Sequence, residues 1–353
     1  MQLIKITDIE PILKHVVLEL HETVGFLGQY GAGKTEGIEF YADKLGAVLC
    51  KVLLGQYDTV DLKGTPWVVE YDNSERGLPN WQSTVWRPAS TLPFKGNPNF
   101  PTNKPIFLFL DEITSATIPV MGICYQLVNE RRVGEHELMD NVYVIVAGNR
   151  EVDKGIVNRM PMPLNNRITW YEVGVDPEAW GVWAQRKYGE KAAIFIAFIM
   201  WRKPLLCTHD PAKPEKTVAT PRTWEKCIKY FNHATMPDAT RRSSMAGAVG
   251  DGPSAEFYGF VDVWQKVTQL MIRIKKDPAN ADIPDEPSLQ YAIAISLSGD
   301  MSPKTVGAIN IYLMRMPPEF TVIAWHLAIL RDKMLFPTPE FITFSKKYKA
   351  PFQ

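Results

Sequence analysis

Five short apolar runs frame the N-terminal half of the chain: 24–27 (V-G-F-L), 47–52 (A-V-L-C-K-V), 106–110 (I-F-L-F-L), 142–147 (V-Y-V-I-V-A) and 168–173 (I-T-W-Y-E-V). Continuous runs of this length describe strands buried on both faces rather than strands with one wet side. Helical spacing fills the gaps: 36–45 reads as one helix, and 119–131 as another, with Val120, Ile123, Cys124, Leu127 and Val128 on one stripe. Alternating strands and helices predict an α/β fold, a parallel sheet sandwiched by helices. Ahead of the first strand, Ile12, Leu13, Val16, Val17 and Leu18 carry helix-like spacing, and residues 132–138 read as a hairpin about Gly134.

Residues 55–104 break the pattern. They are rich in Gly, Pro, Asn and aromatics (Trp67, Trp81 and Trp86 among them) and show no clear period. Fifty residues are too many for a plain connection, which predicts a functional insertion or a partner surface.

From residue 175 onward the pattern is helical. Trp180, Trp183 and Ala184 share a stripe, 192–201 reads as a buried helix, and 204–221 is a proline-rich break. A new helix is expected after a Ser254 cap, with Phe257, Phe260, Val261 and Trp264 spaced by three and four. Further helices are expected near 288–298, 303–316 and 318–333. The organisation read here is 1–174, 175–250 and 251–353.

Composition narrows the class. Lys plus Arg and Asp plus Glu both total 39 in 353 residues, so no global positive field advertises nucleic acid or anionic lipid. The longest apolar run, 192–201, has ten residues, about half of what a bilayer needs. The first five residues lack the apolar core of a signal peptide. Cys50, Cys124, Cys207 and Cys227 show no C-x-x-C spacing and read as reduced core residues of a cytoplasmic protein. His209-Asp210 has no further ligand at metal spacing and reads as a loop.

The chemistry starts where the first apolar run ends. Residues 28–35 read G-Q-Y-G-A-G-K-T, matching G-x-x-x-x-G-K-[ST] between a strand and a helix. In such a loop the backbone N–H groups of Gly28, Gln29, Tyr30, Gly31, Ala32 and Gly33 turn inward and the following helix adds its positive end, forming an anion site. Lys34 is expected to reach the β- and γ-phosphates of a nucleoside triphosphate, and Thr35 to ligate Mg²⁺.

The run 106–110 delivers Asp111 and Glu112 to the C-terminal edge of the sheet, where open α/β sheets bind ligands. Asp111 is expected to hold Mg²⁺ chiefly through water, and Glu112 to orient and deprotonate the attacking water; the competing reading is a helix cap. Asn149 follows the run 142–147 to the same edge, where its amide could hold the water or the γ-phosphate, or simply close an Asx turn.

Taken in order, G-Q-Y-G-A-G-K-T (28–35), F-L-D-E-I-T-S-A-T (109–117), A-G-N-R (147–150) and V-N-R-M-P-M-P-L-N-N-R-I (157–168) resemble the MoxR-like AAA+ ATPases. A fifth block, A-T-P-R-T-W-E (219–225), resembles the start of a late lid helix in that family. The likeness spans residues 25 to about 232 and fades beyond 260. It implies a P-loop AAA+ core followed by an all-helical lid (175–250) and a helical C-terminal extension (251–353).

The resemblance also implies roles. Arg167 matches the arginine finger that reaches a neighbouring subunit's site, with Arg159 as its competitor. Arg222 matches the lid arginine that senses the γ-phosphate, in cis or in trans, against a simpler pairing with Glu225. The segment after Asp58 matches an insertion that lines the ring pore in related ATPases. One departure stands out: the family often carries Asn-Arg after D-E-I, where this chain has Thr114-Ser115.

The expected function is therefore an ATPase, a homo-oligomeric and hexameric ring motor or chaperone that remodels a protein partner, which the family suggests carries a von Willebrand A-type domain. The alternatives are a motor that threads DNA, and a nucleotide-dependent scaffold with little turnover. ATP and Mg²⁺ are the implied cofactors, and no membrane partner is expected.

Overall fold

The structure, a computed structural model, describes residues 3–72, 81–153, 158–210, 212 and 216–348, apart from the side chains of Glu151, Val263, Gln265 and Thr268. Pro79, Val157 and Lys349, which belong to stretches singled out above, lie outside the described residues. The chain divides into two compact units, Met1–Val175 and Asp176–Gln353.

The first unit is built on a parallel sheet of six strands: β1 (Leu3–Ile4), β2 (Val24–Gly28), β3 (Val48–Leu53), β6 (Ile106–Asp111), β9 (Val142–Gly148) and β10 (Thr169–Val173). They lie in the order β1-β10-β2-β9-β6-β3, every neighbouring pair parallel. All C-terminal ends therefore share one edge. The residues of β6 divide between two cores, as a doubly covered strand requires. Ile106, Leu108 and Leu110 join the core formed with α4 (Ile118–Glu130). Phe107 and Phe109 join Ile9, Leu13, Val17, Ile38 and Ala42 on the opposite face. The latter five come from α1 (Ile9–Pro11), the π-helical turns Ile12–Glu19, and α2 (Lys34–Lys44). The expected sandwich is the one observed.

The described residues of 55–104 hold more regular structure than their composition predicts. They form α3 (Thr59–Lys63) and an antiparallel ribbon of β4 (Thr65–Tyr71) and β5 (Trp81–Arg87). The ribbon is largely exposed, with the Trp86 N–H donating to Glu135 Oε1 at 3.2 Å. Leu62, Leu92 and Phe94 are buried in the sheet's core, and Phe94 bridges to Leu138 just beyond the hairpin β7 (Arg132–Val133) and β8 (His136–Glu137). The first unit closes with α5 (Met162–Asn165) ahead of β10.

The second unit is helical: α6 (Pro177–Tyr188), α7 (Ala193–Trp201), α8 (Pro221–Phe231), α9 (Asp238–Val249), α10 (Asp251–Lys276), α11 (Pro287–Asp300), α12 (Val306–Leu313), α13 (Pro318–Arg331) and α14 (Pro339–Tyr348). Phe195 and Phe257 stack 4.4 Å apart in its core. Ser254 is not the cap expected from the sequence. α10 starts at Asp251, after Gly250 at φ 93°, and Ser254 is buried inside the helix with its N–H bonded to the Gly250 carbonyl. The helix α14 was not anticipated; Phe344 stacks on Trp325 of α13 at 5.3 Å and anchors it.

Candidate active site

Two glycines shape the loop after β2. At Gly28 a Cβ would come within 2.6 Å of the Val173 carbonyl oxygen, so this position admits no side chain. Gly33 sits at φ 87°, a left-handed conformation that costs glycine little, and from there the chain enters α2 at Lys34. Ile6 lies beneath it, 3.0 Å from where a Gly33 Cβ would stand. Gln29 and Tyr30 complete the turn, with the Ala32 N–H donating to the Gln29 carbonyl at 3.3 Å, and Gly31 at φ 71°. Burial first, then the negative charges of Asp153 and Glu112, push the Tyr30 phenol above its ordinary value.

Lys34 is 8% exposed and folds back over the loop. Its ammonium donates to the carbonyls of Gly28 (2.8 Å) and Gln29 (3.0 Å) and to Asn149 Oδ1 (3.4 Å). The Thr35 hydroxyl donates to Asp111 Oδ2 at 2.9 Å, and the other Asp111 oxygen accepts the Glu112 N–H at 2.9 Å. The loop after β2 and the ends of β6 and β9 therefore converge at one point of the sheet edge.

Glu112 occupies the left-handed region at φ 57°, an uncommon choice for a residue with a side chain, and strain of this kind concentrates at functional sites. Glu112 stands at the N-cap position of the turn that follows, Ile113–Ser115, but its carboxylate makes no capping hydrogen bond to that turn. Glu112 Oε2 lies 3.1 Å from where a Cβ on Gly55 would be, so Gly55 leaves the room that this carboxylate occupies. Asn149 is buried, and its backbone N–H donates to the Thr114 hydroxyl at 3.0 Å.

Beside the site, Arg150 pairs with Asp153 (2.7 Å) and Glu172 (2.8 Å). The Asp153 hydrogen bond is the largest influence holding its guanidinium above the ordinary value, against the opposing effect of burial.

The donors around Thr35 and Asp111 are hard oxygens, one hydroxyl and one carboxylate, which suits Mg²⁺ shared with phosphate oxygens and water. Among the described residues no group of three His, Cys, Asp or Glu side chains could cage a metal on its own. A magnesium ion here would be held by Thr35 and Asp111 and would neutralise phosphate charge.

Of the three candidate arginines, Arg159 and Arg167 belong to the first unit and Arg222 to the second. Arg167 is exposed between α5 and β10; it bonds Asn129 Oδ1 and the Pro163 carbonyl, and its guanidinium lies 4.8 Å from the Tyr125 ring centroid. Arg159 is also exposed. Arg222 belongs to the second unit, on the first turn of α8 behind a Thr220–Thr223 capping box, and is exposed. It does not pair with Glu225, which instead takes Lys187 (2.9 Å), Tyr188 (2.6 Å) and Lys229 (3.3 Å).

Thr114 and Gly55 were not singled out as site residues from the sequence. The only signal was the Thr114-Ser115 departure, because hydroxyl and glycine positions carry no charge pattern of their own.

No family model and no curated protein matches the chain. Solved structures similar to it include NtrX from Brucella abortus in complex with ATP (TM-score 0.41, 12% identity, 98% of this chain and 68% of that one). The Thermotoga maritima RuvB Holliday junction branch migration motor is another (TM-score 0.39, 12% identity, 88% and 86%). Hsp104 with ATPγS and FITC-casein gives a TM-score of 0.32 at 15% identity, over 76% and 45%. At these scores the likenesses bear on neither the family nor the reaction.

Proposed function

We propose that the chain is an ATP-hydrolysing motor of the MoxR-like AAA+ type, working as a ring to remodel a protein partner. The observation that carries this reading is the meeting of Lys34 and Thr35 with Asn149 and Asp111 at one sheet edge, with Glu112 beside them. The loop of residues 28–33 binds the phosphates through its backbone N–H groups, and Lys34 leaves its carbonyl partners to neutralise the terminal phosphate. Asp111 and Thr35 hold Mg²⁺. Glu112 orients the attacking water and takes its proton, and Asn149 fixes the water or the γ-phosphate from the next strand.

Arg167 acts across a subunit boundary. Its exposure supports this, since a finger must leave its own fold to reach a neighbour's phosphates. Arg222 senses the γ-phosphate from the lid, 175–250. A hexamer is the assembly this reading favours, with the extension 251–353 outside the motor core, a von Willebrand A-type protein as the partner and the cytoplasm as its place. Among the described residues no helix is long and apolar enough to cross a membrane.

A second reading, a DNA-threading motor, is favoured by the ribbon β4–β5. Trp67, Tyr71 and Trp81 are exposed on one face, Tyr71 stacks on Trp81, and Arg87 lies over Trp67, an arrangement on which bases can stack. ATP hydrolysis by the purified chain, measured with and without single- and double-stranded DNA, tests both. Turnover that DNA leaves unchanged supports the protein remodeller; strong, salt-sensitive stimulation supports the second reading, and no turnover in any condition contradicts both.

A further inference from the structure

We infer that Thr114 is a positioning residue that sets Asn149 against Lys34. Strand β9 ends its ladder at Gly148, opposite Leu27, so Asn149 is the first residue that the sheet no longer holds. The Thr114 hydroxyl takes over: it accepts the Asn149 backbone N–H at 3.0 Å from a side chain that is itself buried. The Thr114 methyl fits over Gly148, where a Cβ would approach it to 2.9 Å, so the strand end can come this close only as glycine.

The same residue also holds the chain beyond the site. Its carbonyl accepts the Asn158 N–H at 2.7 Å, and the Asn158 amide donates to the Ala116 carbonyl at 2.8 Å. Thr114 thus ties the turn that carries Glu112 both to the end of β9 and to the segment leading toward Arg167. The consequence falls on Asn149 Oδ1, whose 3.4 Å contact with the Lys34 ammonium is near the limit for a hydrogen bond and is lost with a small shift of the backbone.

The catalytic consequence rests on the proposed function; the positioning itself does not. The test is Thr114→Val, which removes the hydroxyl and keeps the shape, beside Thr114→Ser, which keeps the hydroxyl and removes the methyl. In the full chain with ¹⁵N-labelled asparagine, Thr114→Val should move both the backbone and side-chain amide signals of Asn149, and Thr114→Ser should leave them near their original positions. Thr114→Ala replaces the valine variant should that one fail to fold, and must move the same signals.

In turnover, Thr114→Val should lower kcat about tenfold with KM for ATP changed by less than about twofold, and should add no further loss on top of Asn149→Ala. Unmoved Asn149 signals in Thr114→Val, or equal shifts in Thr114→Ser, would overturn the assignment. A wild-type chain without turnover would remove the proposed function instead, while the Asn149 signals would still decide the positioning role.

Discussion

The Thr35 hydroxyl donates to Asp111 Oδ2 at 2.9 Å, joining the first residues of α2 to the end of β6 across 76 positions of sequence. Two neighbouring strands do not produce this contact, because β9 lies between β2 and β6. It forms because parallel strands end at one edge and the loop after β2 turns back over it. Thr35→Ala leaves a buried carboxylate oxygen without its donor, a cost of about 1–3 kcal/mol in stability. On the proposed function it also removes one Mg²⁺ ligand, so the magnesium concentration for half-maximal turnover should rise by about tenfold or more, while Thr35→Ser keeps it near wild type. A magnesium titration of the three proteins is the check.

Arg167 leans on Tyr125 and bonds Asn129 and Pro163, with no residue of the 28–35 loop among these contacts. On the ring reading, a chain with Arg167→Ala still offers an intact loop, and a chain with Lys34→Ala still offers an intact finger. Mixed in equal amounts, the two inactive proteins should recover turnover above either alone. A mixture no more active than its parents contradicts action in trans.

Glu225 gives the second unit a pH dependence. Burial by itself pushes this carboxyl up, but hydrogen bonds from Tyr188, Lys187 and Lys229 outweigh burial and hold it below its ordinary 4.5. A depressed carboxyl contributes stability that is complete above the unfolded value and is lost as pH falls through the folded one. The difference in melting temperature between wild type and Glu225→Gln should therefore be largest near neutrality and shrink below about pH 4.5. A difference that stays constant down to pH 3 contradicts the assigned ionic partners.

Five of the six sheet strands were legible because each is a short apolar run, whereas β1 is two residues long and carries no pattern; in β6 five apolar residues ending in two carboxylates also placed Asp111 and Glu112 at the edge. The ribbon β4–β5 was not legible for the opposite reason: Trp67 and Val68 are exposed on opposite faces, so no alternation of apolar and polar marks its strands. Leu92 and Phe94 belong to the core although they stand among prolines and asparagines, since a loop can bury single residues without any period. Ser254 misled because a serine before an apolar stripe reads as a cap, whereas Gly250 sets the break one turn earlier. At the site, the spacing of motifs pointed to Lys34, Thr35 and Asp111, but the hydroxyl of Thr114 acts through a hydrogen bond to backbone, which leaves no trace in a pattern of residue types.

The central claim is that Glu112 is the base of an ATP-hydrolysing site whose loop binds nucleotide independently of it. Glu112→Gln keeps the size of the side chain and the room left by Gly55 and removes only the proton acceptor. Binding of a fluorescent ATP analogue and steady-state hydrolysis, measured on the same preparation, test the claim. The account predicts an affinity within about twofold of wild type and a kcat lower by about 10²–10⁴-fold; hydrolysis at the wild-type rate would contradict it.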